Sequence, residues 1–232
     1  MNVIIIGATS GIGKELARIY SEAGHSVGIT GRRTEILASM GMPHRTMDVT
    51  HPDEACEALR SLIEEMGGAD IVVISSGTGH TNEELNFAKE RAAIDVNVLG
   101  FTAIADAAFH YFKERGRGSL VGITSVAGLF PGRFAPAYSA SKAYCISYLS
   151  SLRAKARREC PGVNITDLRP GFIDTPLVEG NDNMFWVEKP EVAAAQMVRA
   201  ISKHKRTAYI THRWTLIGIM LKLLPARVLE RF

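Results

Sequence analysis

The chain has 232 residues, 46% of them hydrophobic and 22% charged, with a formal net charge of +3. That length suits one α/β domain able to bury a full core, and the charge is too small to argue for nucleic acid, with no aromatic-interleaved basic stripe beside it. The three cysteines, Cys56, Cys145 and Cys160, are far apart and form no CxxC pair, which suggests neither a metal site nor a disulfide framework. A reducing, cytoplasmic setting is expected.

The elements alternate along the chain. Val3–Ile6 is β-branched and reads as a buried strand, followed by glycines and a helix near Gly11–Ala23. No basic segment precedes this apolar start, so it is not read as a signal peptide. Val27–Thr30 and His44–Met47 read as the next strands, and Pro52–Met66 as a helix with proline in its first turn and His51 or Thr50 as its cap. Ile71–Ile74 follows as a strand, then one long helix from Asn82 to about Arg115. Leu120–Thr124, the helix Pro136–Glu159, Val163–Leu168, the helix Glu191–Lys203 and the strand Ala208–Ile210 complete the pattern. Strands alternating with helices imply parallel pairing. The expected fold is a single-domain, Rossmann-type, doubly wound parallel sheet of about seven strands with helices on both faces.

Gly7-Ala8-Thr9-Ser10-Gly11-Ile12-Gly13 lies between the first strand and the first helix. Glycines there let the chain turn tightly and let a pyrophosphate approach the free N–H groups of a helix N-terminus. Three glycines at such offsets arise by accident about 0.2 times in a chain of this composition, so position after the first strand carries the argument. The plain alternative is a tight turn with no ligand. A P-loop is excluded, because Ala8 and Glu15 stand where glycine and Ser or Thr would be needed.

Tyr138-Ser139-Ala140-Ser141-Lys142 puts a phenol and an ammonium on one helical face. A free phenol titrates near 10, and a neighbouring ammonium favours its ionised form. Ser125 ends the fifth strand, where its hydroxyl could bond a substrate oxygen. Taken singly, Tyr138 reads as a half-buried helix tyrosine and Lys142 as a surface lysine; the order in which they occur with the glycine turn argues otherwise.

With these residues in view, the sequence resembles the short-chain dehydrogenase/reductase family over about residues 2–211. The resemblance rests on Gly7, Gly11 and Gly13, on Asp48-Val49, on Asn97-Val98-Leu99-Gly100, on Ser125 with Tyr138 and Lys142, and on Pro170-Gly171-Phe172-Ile173-Asp174-Thr175. It implies an oxidoreductase interconverting a carbonyl and an alcohol. Tyr138 would exchange a proton with the substrate oxygen, Lys142 would bind the nicotinamide ribose, Ser125 would orient the substrate, and Asn97 would hold a water in a proton relay. Thr9, Ser10 and Ile12 would line the pyrophosphate beside the glycines. Asp48 and Val49 would meet the adenine, Ser76 and Gly77 its ribose, and Pro170, Gly171, Ile173 and Thr175 the nicotinamide end.

Plain alternatives stand beside these: Asn97 as a helix kink, Asp48 with Thr50 as a capping turn, Pro170-Gly171 as a turn. The glycine loop, Arg32, Asp48, Ser76-Gly77, Ser125 and Pro170-Gly171 nevertheless follow different expected strands, which gathers them at one sheet edge. Two positions depart from the family pattern. Ile6 replaces the threonine before the first glycine, and Ile74-Ser75-Ser76-Gly77 replaces Asn-Asn-Ala-Gly, which puts the local hydrogen bonding in doubt.

Strand two ends in Thr30-Gly31-Arg32-Arg33. An acid there would hold unphosphorylated ribose hydroxyls; instead Gly31 occupies that place and Arg32 offers a planar cation suited to phosphate. NADP(H) is expected over NAD(H), with Arg32, and Arg33 or Ser10, on the 2′-phosphate. The alternative is a solvated helix start. Leu129, Phe130, Phe134, Phe172, Leu177, Phe185 and Trp186 suggest an apolar small-molecule substrate, or equally a packed lid or subunit contact.

Residues 1–212 are expected to form the catalytic domain and 213–232 a helical tail. Ile217, Met220, Leu221 and Leu224 share a face there, with Lys222, Arg227 and Arg231 adding charge. Packing on the domain or a neighbouring subunit is expected before contact with a membrane surface, and Leu216–Leu224 is far too short to span one. A homodimer or homotetramer through the two long helices is expected. A serine hydrolase is excluded by the lack of a Gly-x-Ser-x-Gly elbow, and a zinc hydrolase by the lack of HExxH. A dinucleotide-binding redox sensor without turnover remains the rival from another class.

Overall fold

The computed structural model describes residues 1–176 and 184–230. Seven strands form one parallel sheet in the order β3-β2-β1-β4-β5-β6-β7. They are β1 (Asn2–Ile6), β2 (Ser26–Gly31), β3 (His44–Thr46), β4 (Ile71–Ile74), β5 (Gly118–Ile123), β6 (Val163–Pro170) and β7 (Thr207–Ile210). The β-branched runs of β1 and β4 are buried on both faces, as a strand covered by helices on two sides requires.

The helices are α1 (Gly11–Glu22), α2 (Thr34–Ser39), α3 (Pro52–Glu65), α4 (Phe87–Ile94), α5 (Phe101–Arg115), α6 (Pro136–Glu159), α7 (Pro190–Ser202), α8 (Arg213–Leu223) and α9 (Ala226–Leu229). They divide the core in two. Phe101, Ile104, Phe109 and Phe112 of α5 and Leu149 and Leu152 of α6 pack on one face of the sheet with α3. Leu16, Ala17 and Tyr20 of α1 and Ala193, Ala194 and Met197 of α7 pack on the other. All strands run the same way, so every strand's carboxyl end opens on one edge, as the sequence order of the motifs implied.

Three expectations change. The long helix begins at Phe87 rather than Asn82, because Asn86 caps it: its side-chain oxygen accepts the Ala88 N–H at 2.9 Å. The rod is also not uniform. Asp95–Gly100 forms a turn of π-helix between α4 and α5, and such turns recur at functional sites. The rod Phe87–Arg115 is apolar enough for a membrane span by length and composition alone, but its apolar side is the core just described. Neither expected cap closes α3, since His51 sits at the cap position without a side-chain bond.

The tail also differs in detail. α8 turns Trp214, Gly218 and Leu221 inward, against β7 and the turn after β5. Of the face expected to be apolar and covered, Leu221 is buried and Ile217 and Leu224 are partly so, but Met220 is exposed with Leu216, Ile219 and Leu223. Gly218 sets this rotation: Tyr209 fills the space a Cβ there would take. Arg231 lies outside the described residues.

Candidate active site

The glycine turn is built by close approach. Gly7 adopts φ +88°, and a Cβ there would sit 2.8 Å from the Ser76 backbone nitrogen. A Cβ on Gly13 would overlap the Gly7 carbonyl oxygen. The Gly7 and Ala8 N–H groups donate to Thr30 O at 3.0 and 2.8 Å, tying the turn to the end of β2. Ser10 starts α1 without a side-chain cap, and the first turn carries no acid. Free N–H groups and the positive end of the helix dipole are therefore offered to an anion. Thr175 closes the opposite side: a Cβ on Gly11 would come within 2.9 Å of its methyl group.

At the end of β2, Arg33 donates through Nη2 to Thr9 Oγ1 at 2.8 Å, and Gly31 leaves the space that the Thr9 methyl group occupies. A carboxylate side chain at position 31 would displace Thr9. After β3, Asp48 Oδ1 accepts from the Thr50 N–H and hydroxyl at 3.0 and 2.8 Å, so the capping-turn alternative is present in the geometry. Burial alone would raise the Asp48 carboxyl; the Thr50 bonds, Arg32 and His51 outweigh it and leave it lowered. Val49 is buried against Gly100 of the π-turn.

After β4, the departure from the family pattern has a visible result. Ser75 N still donates to Ile6 O at 2.9 Å. The Ser76 hydroxyl, however, is buried with no partner among the described residues. Gly77 lies beside Lys142 Nζ and Asn97 Oδ1, about where its own Cβ would make van der Waals contact.

Lys142 is 5% exposed; its ammonium donates to Ile123 O at 3.2 Å and lies 5.8 Å from the Tyr138 ring centroid. No carboxylate forms an ion pair with it among the described residues. Asn97 donates to Thr78 O at 2.7 Å and Ser141 Oγ at 2.9 Å, and accepts from Thr78 N at 2.9 Å. Its own carbonyl accepts the Cys145 thiol at 3.1 Å. Burial pushes that thiol up to about 11. Ser125 Oγ accepts from Ala127 N at 3.1 Å and lies 3.5 Å from Pro170 O.

On the far side, Gly171 lies flat under the Trp214 indole. Phe172, Phe185, Trp186 and Trp214 form one aromatic cluster, with ring centroids 5.3 to 6.2 Å apart. Ile173 is buried and bridges to Glu188. Leu177 lies outside the described residues. Phe134 sits apart from this cluster, stacked under Arg133 at 4.4 Å.

Sequence reasoning missed four contributors. Thr78 and Ser141 hold Asn97. Asp167 and Arg169 form a buried ion pair at 2.6 Å directly behind the Thr124–Ser125 strand end. Opposite charges two residues apart in an apolar strand share a face, and that spacing was the available signal.

A parallel doubly wound sheet with a glycine turn after its first strand and polar groups gathered at its carboxyl edge defines the class of dinucleotide-binding α/β enzymes. The model of the short chain dehydrogenase family matches residues 1–184, and the chain belongs to the short-chain dehydrogenase/reductase family. It is 36% identical over 190 residues to an uncharacterized oxidoreductase of Myxococcus xanthus, covering 77% of this chain and 74% of that protein. A short-chain type dehydrogenase/reductase from Mycobacterium ulcerans superimposes with a TM-score of 0.82 at 22% identity, covering 99% and 97% of the two chains. ElxO, solved with NADP bound, superimposes with a TM-score of 0.78 at 20% identity over 90% of this chain and 96% of that one. The chain is an NAD(P)-dependent oxidoreductase.

Proposed function

We propose that this enzyme interconverts a carbonyl and an alcohol on an apolar small molecule with NADP(H), using Tyr138 as the acid/base. One observation carries the reading: Lys142 is a buried cation with no carboxylate paired to it among the described residues, beside the Tyr138 ring. Burying an unpaired charge is costly. A group that gains negative charge during the reaction explains its retention. As the Tyr138 phenol gives up its proton, the Lys142 ammonium stabilises the charge left on oxygen.

The site fits the cofactor. The glycines leave room where a Cβ would collide, and the α1 N-terminus carries no competing acid. Gly7, Ser10, Gly11 and Gly13 would hold the pyrophosphate, Arg32 the 2′-phosphate, Asp48 and Val49 the adenine, and Thr175 the nicotinamide end. The bound nicotinamide supplies or accepts the hydride. Tyr138 moves the proton at the substrate oxygen, and Ser125 Oγ orients that oxygen. The Asn97 amide is already taken by Thr78 and Ser141, so we assign it the bracing of the loop beside Lys142. The Phe172–Phe185–Trp186–Trp214 cluster supports an apolar substrate.

NADPH oxidation against a panel of carbonyl compounds, with Tyr138→Phe alongside, tests this. Loss of at least about a hundredfold in kcat with cofactor Kd unchanged is expected. A variant that keeps most of the wild-type rate refutes the mechanism. Absence of turnover across the panel by a wild type that still binds NADPH favours the rival sensor reading.

A further inference from the structure

Beyond β4 the chain runs without regular structure to Asn86, and this stretch forms one wall of the tyrosine. Gly79 lies against the Tyr138 ring so closely that a Cβ would overlap it. Its first residues are half-buried and most of the rest are exposed, but Asn82 is 2% exposed. Its backbone N–H donates to Phe134 O at 2.7 Å, which ties the stretch to the loop before α6. Its side-chain oxygen accepts the Asn86 N–H at 2.9 Å, and its amide donates to Asn86 O at 3.0 Å and to the Glu90 carboxylate.

The other Glu90 oxygen accepts the Ala137 N–H at 3.0 Å. Ala137 is the second residue of α6 and the immediate neighbour of Tyr138. Its N–H is one of the donors that a helix leaves unpaired at its start, and α6 has no side-chain cap of its own. Pro136, the first helical residue, has no N–H to offer. A carboxylate from α4 therefore supplies the cap that the local sequence lacks, at the favourable end of the dipole.

We propose that Asn82 and Glu90 clamp the two walls of Tyr138 and act as positioning residues for its phenol. Glu90 fixes the start of α6 and hence the backbone on which Tyr138 stands. Asn82 holds Glu90 and draws the Gly79 segment against the ring. Their side chains bond Asn86, Ala137 and each other, so they act on Tyr138 through the backbone. Displacements of about 1 Å at a catalytic group can cost on the order of a hundredfold in rate, which is the leverage such a clamp exerts. The proposal rests on the assignment of Tyr138 as the acid/base.

The test compares Glu90→Ala, Glu90→Gln and Gly79→Ala with the wild type and Tyr138→Phe. The readouts are kcat and KM for whichever panel carbonyl the wild type reduces fastest, NADPH Kd by fluorescence, and melting temperature. Glu90→Ala is expected to lower kcat about tenfold or more with NADPH Kd within about twofold, because the bonds of the Glu90 carboxylate go to Asn82 and Ala137 and not to the glycine turn. Glu90→Gln keeps an acceptor oxygen for Ala137 but turns an amide N–H toward the Asn82 amide, so it should recover part of the loss in kcat, which a general weakening of the fold would not. Gly79→Ala leaves the clamp in place but pushes the ring, and should reproduce the fall in kcat.

Glu90→Ala at wild-type kcat overturns the proposal. So does an equal loss in kcat and NADPH binding by both Glu90 variants. If Glu90→Ala does not fold, Gly79→Ala decides, and a wild-type kcat there overturns it. If Tyr138→Phe itself keeps the wild-type rate, the acid/base assignment falls and the clamp falls with it; if Tyr138→Phe is inactive and the clamp variants are normal, only the clamp falls.

Discussion

Along β1 to β3 the carboxyl edge is shaped by side chains that are missing. Gly7 and Gly13 let backbone meet backbone where any Cβ would collide, and Gly31 leaves room for Thr9. Along β5 to β7 the same edge is held by side chains that reach across strands. Asp167 accepts from Thr124 Oγ1 at 2.6 Å and from Arg169 Nε at 2.7 Å, and Arg169 Nη1 donates to Tyr209 Oη at 3.3 Å. The Arg169 guanidinium lies 5.6 Å from the Tyr209 ring centroid, and Tyr209 in turn packs into the space at Gly218 of α8. The first edge presents backbone N–H groups, which suits the pyrophosphate of a dinucleotide. The second carries Ser125 and the aromatic cluster around Phe172 and Trp214, and it is stiffened from behind by a charged network.

If that division is right, breaking the network should damage stability far more than it changes cofactor choice. Asp167→Ala leaves Arg169 buried without its counter-charge, which costs about 3–5 kcal/mol. For a chain of this size that lowers the melting temperature by roughly 10 °C. The double replacement Asp167→Leu with Arg169→Met removes both charges and should recover much of the loss. Thermal or urea melts of the three proteins measure it. An Asp167→Ala variant within about 1 kcal/mol of wild type would show that the network is ornamental.

The opposite edge makes the opposite prediction. Arg32→Ala should raise KM for NADPH about tenfold, roughly 1.4 kcal/mol, and leave both NADH kinetics and melting temperature as they were. Arg33 is less suited to this test, because its bonds to Thr9 make it part of the turn. A preference for NAD(H) that survives Arg32→Ala sinks the assignment of the 2′-phosphate to this corner.

The same division explains what could be read from the residues alone. The glycine turn, the Tyr138–Lys142 pair and the strand ends are local patterns, each set by a few consecutive residues, and the parallel sheet brings them to one edge without further information. Asn82 and Glu90 could not be read that way. They act through Phe134 and Ala137, which are close only once α4 and α6 have packed. The start of α4 was misplaced for a related reason. Asn82 and Asn86 both carry the cap-forming side chain, and only Asn86 is followed by a free first turn; Asn82 is drawn inward by Glu90. In the tail, helical periodicity found an apolar side, but α8 is apolar nearly all round, and the small Gly218 rather than the larger Met220 faces Tyr209.

A third position belongs to neither edge and sets the scale of an unimportant charge. Glu159 at the end of α6 accepts from Lys113 of α5 at 2.6 Å and from Lys155 at 2.8 Å. Those two ammonium groups hold its carboxyl down at about 2, below the ordinary glutamate value of 4.5. A carboxyl depressed in the folded state stabilises the fold fully above its unfolded value and loses that contribution as pH falls through the folded one. The contribution should therefore be complete above pH 4.5 and fade toward pH 2. Because Glu159 is exposed, water and salt screen the pair and the effect is small. Glu159→Gln should melt slightly below wild type at pH 7, converge with it on acidification, and leave kcat and both cofactor constants untouched. A gap in melting temperature that stays constant from pH 6 to pH 2 would mean that packing of the side chain, not its charge, joins α5 to α6.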